Sequence, residues 1–171
     1  MTTGAPVAHA VEPDGFRAVM ATLPAAVAIV TAVAPDGRPW GMTCSSVCSV
    51  TLTPPTLLVC MRTASPTLAA AVSARAFAVN LLHARARPTA ELFASAAPDR
   101  FDRIRWRRPP DAAGPHLTDA RAILDCRVSE LAEVGDHLVV FGEVAAIHEL
   151  SDDPPLMYGY RRYASWPVER A

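Results

Sequence analysis

Small uncharged polar side chains are concentrated in the segment GMTCSSVCSV, residues 41–50. These ten residues hold two cysteines, three serines and one threonine, and none of them is charged. Hydroxyls and backbone N–H groups let a strand lie against a flat, polar ligand without crowding it. The segment therefore predicts contact with such a ligand. Its alternative interpretation is a serine-rich strand packed against a second subunit.

Motifs for nucleophilic, metal-dependent and phosphoryl-transfer chemistry are missing from the sequence. The chain has no G-x-S-x-G, no G-x-G-x-x-G and no Walker loop, and its four cysteines include no C-x-x-C pair. Its histidines form no motif with an acidic residue; they are His9, His83, His116, His137 and His148. We therefore predict no metal site and no protein nucleophile. Such a protein can still be an enzyme when an organic cofactor carries the chemistry and the chain orients it.

Apolar runs and turn signals predict a mainly β chain with short helices. Six strands are expected, over residues 25–33, 39–52, 56–61, 77–82, 121–131 and 137–150. Three helices are expected: one capped by Asp14 and ending near Leu23, one capped by Ser65, and one within residues 86–95. Residues 97–120 are rich in proline and are expected to be irregular. Six or more strands joined by hairpins, with few helices, predict a closed antiparallel β-barrel.

Length and composition limit the class of protein. The 171 residues predict one domain, over residues 14–166, preceded by a flexible tail at residues 1–13. A net charge of −1 gives no general basis for binding nucleic acid or acidic membranes. No apolar run reaches the about 20 residues that span a bilayer, and the first residues lack a secretory signal, so a cytoplasmic location is expected. Charged residues make up only 19%, which favours a buried subunit interface.

The order of several short motifs resembles one known family. GMTCSSVCSVTLTPPTLLVC is followed by ASPT, FAVNLL, FAS, GDH and PPLMYGYRRY, over about residues 16–163. This pattern is similar to the flavin reductase-like family, the FMN-binding split barrels. The resemblance implies a six-stranded split barrel that acts as a homodimer. It also implies oxidation of NADH or NADPH, reduction of exchangeable FAD or FMN, and release of reduced flavin to a partner monooxygenase. On family grounds FAD and NADH are favoured.

The resemblance also implies the residues of the site. The flavin would be contacted by Thr43, Cys44, Ser45, Ser46, Ser49, Val50, Ala64, Ser65, Pro66, Thr67, Phe93, Ala94, Ser95, Arg100 and Phe101. Ser65 and Thr67 match a phosphate-binding position, where the free N–H groups of a helix start favour an anion. The nicotinamide nucleotide would be contacted by His137, Tyr160, Arg161, Arg162 and Tyr163. His137 would position the nicotinamide, and no residue is expected to act as an acid or base.

Two departures from the family pattern and three other functions stay open. Cys44-Ser45 stands where the family usually has Ala-Asn, and a histidine that many relatives carry near Gly159 is missing. A flavin-binding electron carrier without catalytic activity would use the same barrel. So would an oxidase similar to pyridoxamine-phosphate oxidases, although no basic pocket for its substrate phosphate is recognised. A structural dimerisation module would leave the helix start at Ser65 unexplained.

Overall fold

The computed structural model describes residues 11–167. Most of the predicted N-terminal tail, up to residue 10, lies outside the described residues. The helices are α1 (Pro13–Met20), α2 (Pro66–Ala74) and α3 (Arg87–Ala94), and one 3₁₀ turn covers Arg100–Arg103. The strands are β1 (Ala25–Ala26), β2 (Ala28–Val33), β3 (Pro39–Cys44), β4 (Val47–Leu52), β5 (Pro55–Arg62), β6 (Ala76–Leu82), β7 (Trp106–Arg107), β8 (His116–Leu117), β9 (Ala120–Val134), β10 (His137–Glu149), β11 (Leu156–Gly159) and β12 (Arg162–Ser165).

The main sheet has seven antiparallel strands in the order β3-β2-β6-β9-β10-β5-β4. The mainly β prediction with short helices is confirmed, whereas the closed six-stranded barrel is not, because this sheet has seven strands. Residues 39–52 were expected to be one strand, and they break at Ser45 and Ser46 into β3 and β4. This one segment supplies both edges of the sheet, because β3 pairs with β2 whereas β4 pairs with β5.

The break at Ser45 and Ser46 requires a strongly curved sheet. Cys44 ends one edge strand and Val47 begins the other. Three residues of extended chain span at most about 11 Å, so the two edges must approach each other there. The backbone N–H of Cys60 in β5 donates to the carbonyl of Ser46 at 3.3 Å, which holds this connection against the sheet.

Local signals in the sequence account for most of the short elements. Ser65 is the N-cap of α2 and accepts a hydrogen bond from the N–H of Leu68, as predicted. Asp14 does not cap α1: the helix begins one residue earlier, at Pro13, and Glu12 is its N-cap. Residues 97–120 contain the 3₁₀ turn and the paired strands β7 and β8, where irregular chain was expected. Among residues 11–167, no helix is long and apolar enough to cross a membrane.

The apolar core lies on both faces of β2, all six residues of which are buried. On one face Val30 joins a cluster that includes Phe77, Met61 and Cys126. On the other face Ile29 joins a cluster with Phe93 of α3, Leu117 and Leu156. A small second sheet, β1-β11-β12, covers the end of this second cluster. The element α3 is therefore held against one face of β2 and β3.

Gly142 is a position where the core admits no side chain. A β-carbon there would lie 2.5 Å from Cζ of Phe77 and 2.9 Å from Cβ of Cys126. Both neighbours are fully buried, so we expect G142A to lower the free energy of unfolding by about 1–3 kcal/mol through overpacking. Urea unfolding at a fixed protein concentration measures this.

Gly15→Ala is the matched control for G142A. A β-carbon at Gly15 in α1 meets nothing within 4 Å, and alanine is the better helix former by up to about 1 kcal/mol. G15A should therefore unfold at the same or a higher urea concentration than the unchanged protein. Equal midpoints for G142A and the unchanged protein would mean that the Phe77 ring moves aside at no cost.

Candidate functional site

A cavity of about 480 Å³ brings six of the predicted site residues together. Three of them belong to the predicted flavin contacts and three to the predicted nucleotide contacts. The lining consists of Thr43, Ser45, Ala94, Arg161, Arg162 and Tyr163, together with Val27, Arg87, Glu91 and Tyr158. Ligand pockets in proteins usually have volumes of about 300–1,000 Å³. The cavity is therefore large enough for part of a dinucleotide or flavin.

One wall of the cavity is formed where β3 meets α3. The Thr43 hydroxyl donates to the carbonyl of Ala90 at 2.7 Å, which ties the edge strand to the helix. Ser45 follows the end of β3 and is exposed. Ala94 ends α3, and its methyl group leaves the wall open. The β3 side of this wall presents uncharged hydroxyl and backbone groups, whereas α3 adds the charged side chains of Arg87 and Glu91.

The opposite wall is formed by β11, β12 and the turn between them. Tyr160 and Arg161 occupy this turn with positive φ angles of 51° and 58°. The N–H of Tyr160 donates to the carbonyl of Ala21. Tyr158 and Tyr163 pack edge to face with ring centroids 5.0 Å apart. Tyr160 itself is 65% exposed and does not line the cavity.

The cavity has a positive electrostatic character. Arg87, Arg161 and Arg162 line it, against the single carboxylate of Glu91. The guanidinium of Arg87 donates to Glu91 at 2.8 Å and lies 5.6 Å from the centre of the Tyr163 ring. Burial and the nearby Glu91 carboxylate raise the pKa of Tyr163. Guanidinium groups beside aromatic rings suit an anionic ligand that also carries a flat ring.

Sequence reasoning missed Arg87, Glu91, Val27 and Tyr158 in this lining. Arg87 and Glu91 stand four residues apart on α3, the helix that also carries the predicted Phe93 and Ala94. That i, i+4 spacing places both on one helix face. This spacing would have identified Arg87 and Glu91 as lining residues if the position of α3 beside β12 had been known.

Four other predicted flavin contacts lie at or just after the end of α3 and pack outside the cavity. Phe93 is buried against Gly41, and its ring packs edge to face with Phe101 at 5.2 Å. Arg100 donates from one guanidinium nitrogen to the carbonyls of Gly41 and Phe93, at 3.0 and 3.3 Å. Ser95 donates to the carbonyl of Leu92. None of these four side chains lines the cavity.

The predicted phosphate position lies on the other face of β3. The hydroxyl of Ser65, the N-cap of α2, lies 3.4 Å from the sulfur of Met42, whereas the hydroxyl of Thr43 donates to the carbonyl of Ala90 in α3. Neighbouring residues of a strand point to opposite faces, so α2 and α3 contact opposite faces of β3. Thr67 is buried, while Ala64 and Pro66 are exposed beside Ser65, and none of these residues lines the cavity.

His137 lies beside the connection from β5 to α2. It begins β10 opposite Arg62 and is bonded through Nδ1 to the Asp136 carboxylate at 2.7 Å. This hydrogen bond, together with Arg62, lowers the pKa of Asp136. The N–H of Thr63 donates to the carbonyl of Asp136 at 3.0 Å, which fixes the turn. His137 does not line the 480 Å³ cavity.

The remaining predicted flavin contacts surround the break between β3 and β4. Cys44 is buried, with its sulfur 3.4 Å from the Ser46 hydroxyl, and that hydroxyl donates to the carbonyl of Cys60 at 3.2 Å. Ser49 and Val50 are exposed on the edge strand β4. The side chain of Cys44 therefore faces the core rather than the cavity.

The accessibility of the cysteines predicts their reactivity. Burial raises the pKa of the Cys44 thiol, and it raises the pKa of Cys126 to about 12. The thiolate is the reactive form, so at pH 8 both should be alkylated more than about tenfold more slowly than the exposed Cys48. Raising the pH should accelerate both. Peptide mass spectrometry after timed iodoacetamide treatment measures the rates, and in urea all sites should react alike. Equal rates for Cys44 and Cys48 in the folded protein would contradict the burial.

The model of the flavin reductase like domain matches residues 20–167 of this chain. The chain belongs to the flavin reductase-like family. The resemblance inferred from the short motifs is thereby confirmed. The family match covers β3, α3, β11 and β12, and so includes every element that lines the cavity.

Three proteins illustrate what this flavin reductase-like chain is similar to. "Flavin reductase (NADPH)" of Lentzea aerocolonigenes is 48% identical, with 96% of this chain and 95% of that protein covered. "Flavin-dependent monooxygenase, reductase subunit HsaB" of Rhodococcus jostii is 34% identical, with coverage of 94% and 81%. The structure of the NADH:FAD oxidoreductase SgcE6 of Streptomyces globisporus, in complex with NAD and FAD fragments, aligns with a TM-score of 0.86 at 28% identity. It covers 96% of this chain and all of that one.

Proposed function

We propose that this protein is an NAD(P)H:flavin oxidoreductase that reduces FAD or FMN and releases the reduced flavin. The observation that carries the proposal is the joint lining of one cavity by Thr43 and Ser45 and by Arg161 and Arg162. Ser45 offers a hydroxyl for a flat polar ring on a wall that Thr43 fixes, and the arginines offer charge for a nucleotide phosphate. Relatives named as NADPH and NADH reductases support the activity.

The residues of the cavity bind and orient the two ligands. A bound flavin would supply the acceptor for a hydride from the reduced nicotinamide, and Ser45, Arg161 and Arg162 would hold the two ligands side by side. The Thr43 hydroxyl is already committed to Ala90, so it fixes the wall, while Ser45 is free to bond a ligand. Glu91 is held by Arg87. The hydride step itself requires no protein acid or base, so binding and alignment account for catalysis.

The other predicted contacts are proposed to act outside this cavity. The start of α2 at Ser65 would bind a flavin phosphate, and His137 would position the nicotinamide. Ser65 contacts the face of β3 that points away from the cavity, and His137 lies outside the cavity opposite Arg62 of β5. A ligand that contacts both the cavity and the start of α2 in one chain would have to extend past the break in the edge strand at Ser45 and Ser46. A second copy of the chain that closes the site at this edge would bring the two groups onto one ligand.

A homodimer is therefore part of the proposal. Helix α1 buries none of its residues, and its apolar side chains Phe16, Val19 and Met20 are exposed. On β4, Val50 and Leu52 are also exposed, with Leu52 at 88%. Apolar surface of this kind is typical of subunit interfaces. We further propose a single domain over residues 14–166, a split barrel closed near Ser46 and a cytoplasmic location. We also propose a partner monooxygenase that receives the reduced flavin, since the relative HsaB is named a reductase subunit of a flavin-dependent monooxygenase.

Aerobic oxidation of NADH and NADPH by the purified protein tests the function. FAD, FMN and riboflavin are added in turn, and the nucleotide absorbance is followed. Turnover that saturates with one flavin and one nucleotide is the expected result, and it also assigns both preferences. Binding of a flavin without turnover in any combination would overturn the reductase and favour an electron carrier or an oxidase.

A further inference from the structure

We propose that His116, Asp125 and His148 form a binding site for a divalent transition-metal ion such as Zn²⁺, separate from the flavin site. The Nε2 atoms of His116 and His148 lie 2.9 and 3.0 Å from the same carboxylate oxygen of Asp125. One ligand atom from each of the three residues lies within 4.8 Å of the other two. Two imidazoles and one carboxylate are a ligand set that first-row transition ions bind well.

Binding an ion requires the shared Oδ2 and the two Nε2 atoms, which lie within 4.8 Å of each other, to reach the spacing of a coordination shell. In a tetrahedral site with bonds of about 2.0–2.1 Å, neighbouring ligand atoms lie about 3.3 Å apart. The Nε2 to Oδ2 distances of 2.9 and 3.0 Å therefore have to widen by a few tenths of an ångström. Both imidazole rings already aim Nε2 at the shared oxygen, with ring centroids 4.9 Å apart. Each Nε2 must release its proton to Nδ1 or to solvent so that its lone pair faces the ion.

The burial and charge of Asp125 favour a cation at this place. The residue is 4% exposed, and its other oxygen accepts a hydrogen bond from the N–H of Ala113 at 2.8 Å. Among residues 11–167, its ion-pair partners are the two histidines alone, with no arginine or lysine. A buried carboxylate is costly without a compensating charge, and a bound divalent ion supplies one.

The loop that carries His116 is held in place before any ion binds. Buried Asn80 donates to the carbonyl of Pro115 and accepts from the N–H of Leu117, the two residues on either side of His116. The hydroxyl of Thr31 donates to the same Pro115 carbonyl at 2.7 Å. A metal would join this loop, through His116, to Asp125 of β9 and His148 of β10. We expect it to stabilise the pairing of these elements rather than to take part in hydride transfer.

An ion can enter from the side of His148, whose side chain is 38% exposed. Asp125, but neither histidine, also lines a second cavity of about 1100 Å³. Three protein ligands and an open position are the pattern of metal sites that keep a water ligand. The Nδ1 atom of buried His116 has no hydrogen-bond partner among residues 11–167. Because ligand histidines are usually fixed through this nitrogen, we expect weaker affinity than at closed structural zinc sites.

Calorimetric titration of ZnCl₂ into chelator-treated protein without a histidine tag tests the proposal. One Zn²⁺ should bind per chain, and at a free concentration of 100 times Kd the Tm should rise by roughly 5–10 °C. H148A, at the partly exposed ligand, and D125N, which keeps the shape of the buried side chain, should each weaken binding more than about 100-fold. Cobalt should give the visible absorption of a bound ion in the unchanged protein only.

H83A is the matched control, because His83 lies outside the cluster and should bind Zn²⁺ as the unchanged protein does. Flavin reduction by H148A should be unchanged, so failure of the metal site and failure of the proposed activity are separate results. Equal Zn²⁺ affinity in H148A, D125N and the unchanged protein would overturn the proposal. So would a lack of Zn²⁺ binding to the unchanged protein, which would leave the three residues as a hydrogen-bond network only.

Discussion

Replacing Arg161 and Arg162 together by glutamine should raise the KM for the nicotinamide nucleotide by roughly 10–100-fold, with a smaller effect on kcat. Both guanidinium groups line the cavity, and among residues 11–167 neither pairs with a carboxylate. A hydrogen bond to a charged group contributes about 1.5–3 kcal/mol, and about 1.4 kcal/mol corresponds to a factor of ten in affinity. Both residues are exposed, and solvent weakens exposed charge pairs, so the two together are expected to contribute about 1.4–2.8 kcal/mol, less than two full bonds of this kind. Initial rates at varied nucleotide concentration measure the effect.

Arg85→Gln is the matched control for this pair. Arg85 is an exposed arginine bonded to Asp153 at 2.8 Å, outside the cavity, so its KM should not change. Comparing NADPH with NADH shows which phosphate is bound. A larger loss with NADPH indicates that the arginines contact the 2′-phosphate, whereas equal losses indicate the shared pyrophosphate. An unchanged KM for both nucleotides would remove Arg161 and Arg162 from the proposed site.

Asn80→Ala should lower the free energy of unfolding by about 3 kcal/mol. Asn80 is fully buried; its side-chain nitrogen lies 3.1–3.2 Å from the Ile29 carbonyl, the Thr31 hydroxyl and the Pro115 carbonyl. Its oxygen accepts from the N–H of Leu117 at 2.8 Å. Alanine leaves several buried polar groups without partners, and each costs about 1–3 kcal/mol. Urea unfolding at fixed protein concentration measures the loss.

Ser129→Ala is the control for Asn80→Ala. The exposed Ser129 hydroxyl donates to the Phe141 carbonyl at 3.2 Å, so S129A also removes one hydrogen bond. A change at such a surface position usually stays within about 0.5 kcal/mol. Amide exchange adds a local readout, because the N–H of Leu117 should exchange faster in N80A than in S129A. Equal stability of the two variants would show that Asn80 is not the anchor of this loop.

Local sequence preferences predict several secondary-structure elements of this protein. The Ser-Pro start of α2 depends on backbone preferences of a few residues, and the structure has it where the sequence predicted. The dipeptides Asp36-Gly37 and Gly135-Asp136, between predicted strands, likewise form turns. The ordered motifs predicted the family, which the comparison confirms. The break at Ser45 was missed because it depends on the curvature of a whole sheet rather than on a local turn signal.

The cavity and the histidine cluster depend on distant parts of the chain. Thr43 and Arg161 stand 118 positions apart in the sequence and line one cavity because β11 and β12 fold back beside α3. Asp125 is a charged residue of β9, and the loop carrying His116 buries it. The burial of Asp125 cannot be predicted from residue spacing, because it depends on Asn80 holding residues 115–117 against β6.

The amino-acid sequence by itself determined the mainly β fold, the family and the cap at Ser65, because these depend on local propensities and on motifs in a fixed order. Only the tertiary structure decided which of the predicted contacts share a cavity. It separated Thr43 and Ser45 from Ser65 across β3, because successive residues of a strand face opposite ways. It also brought His116 and His148 to one carboxylate, through strand pairing that no local pattern encodes.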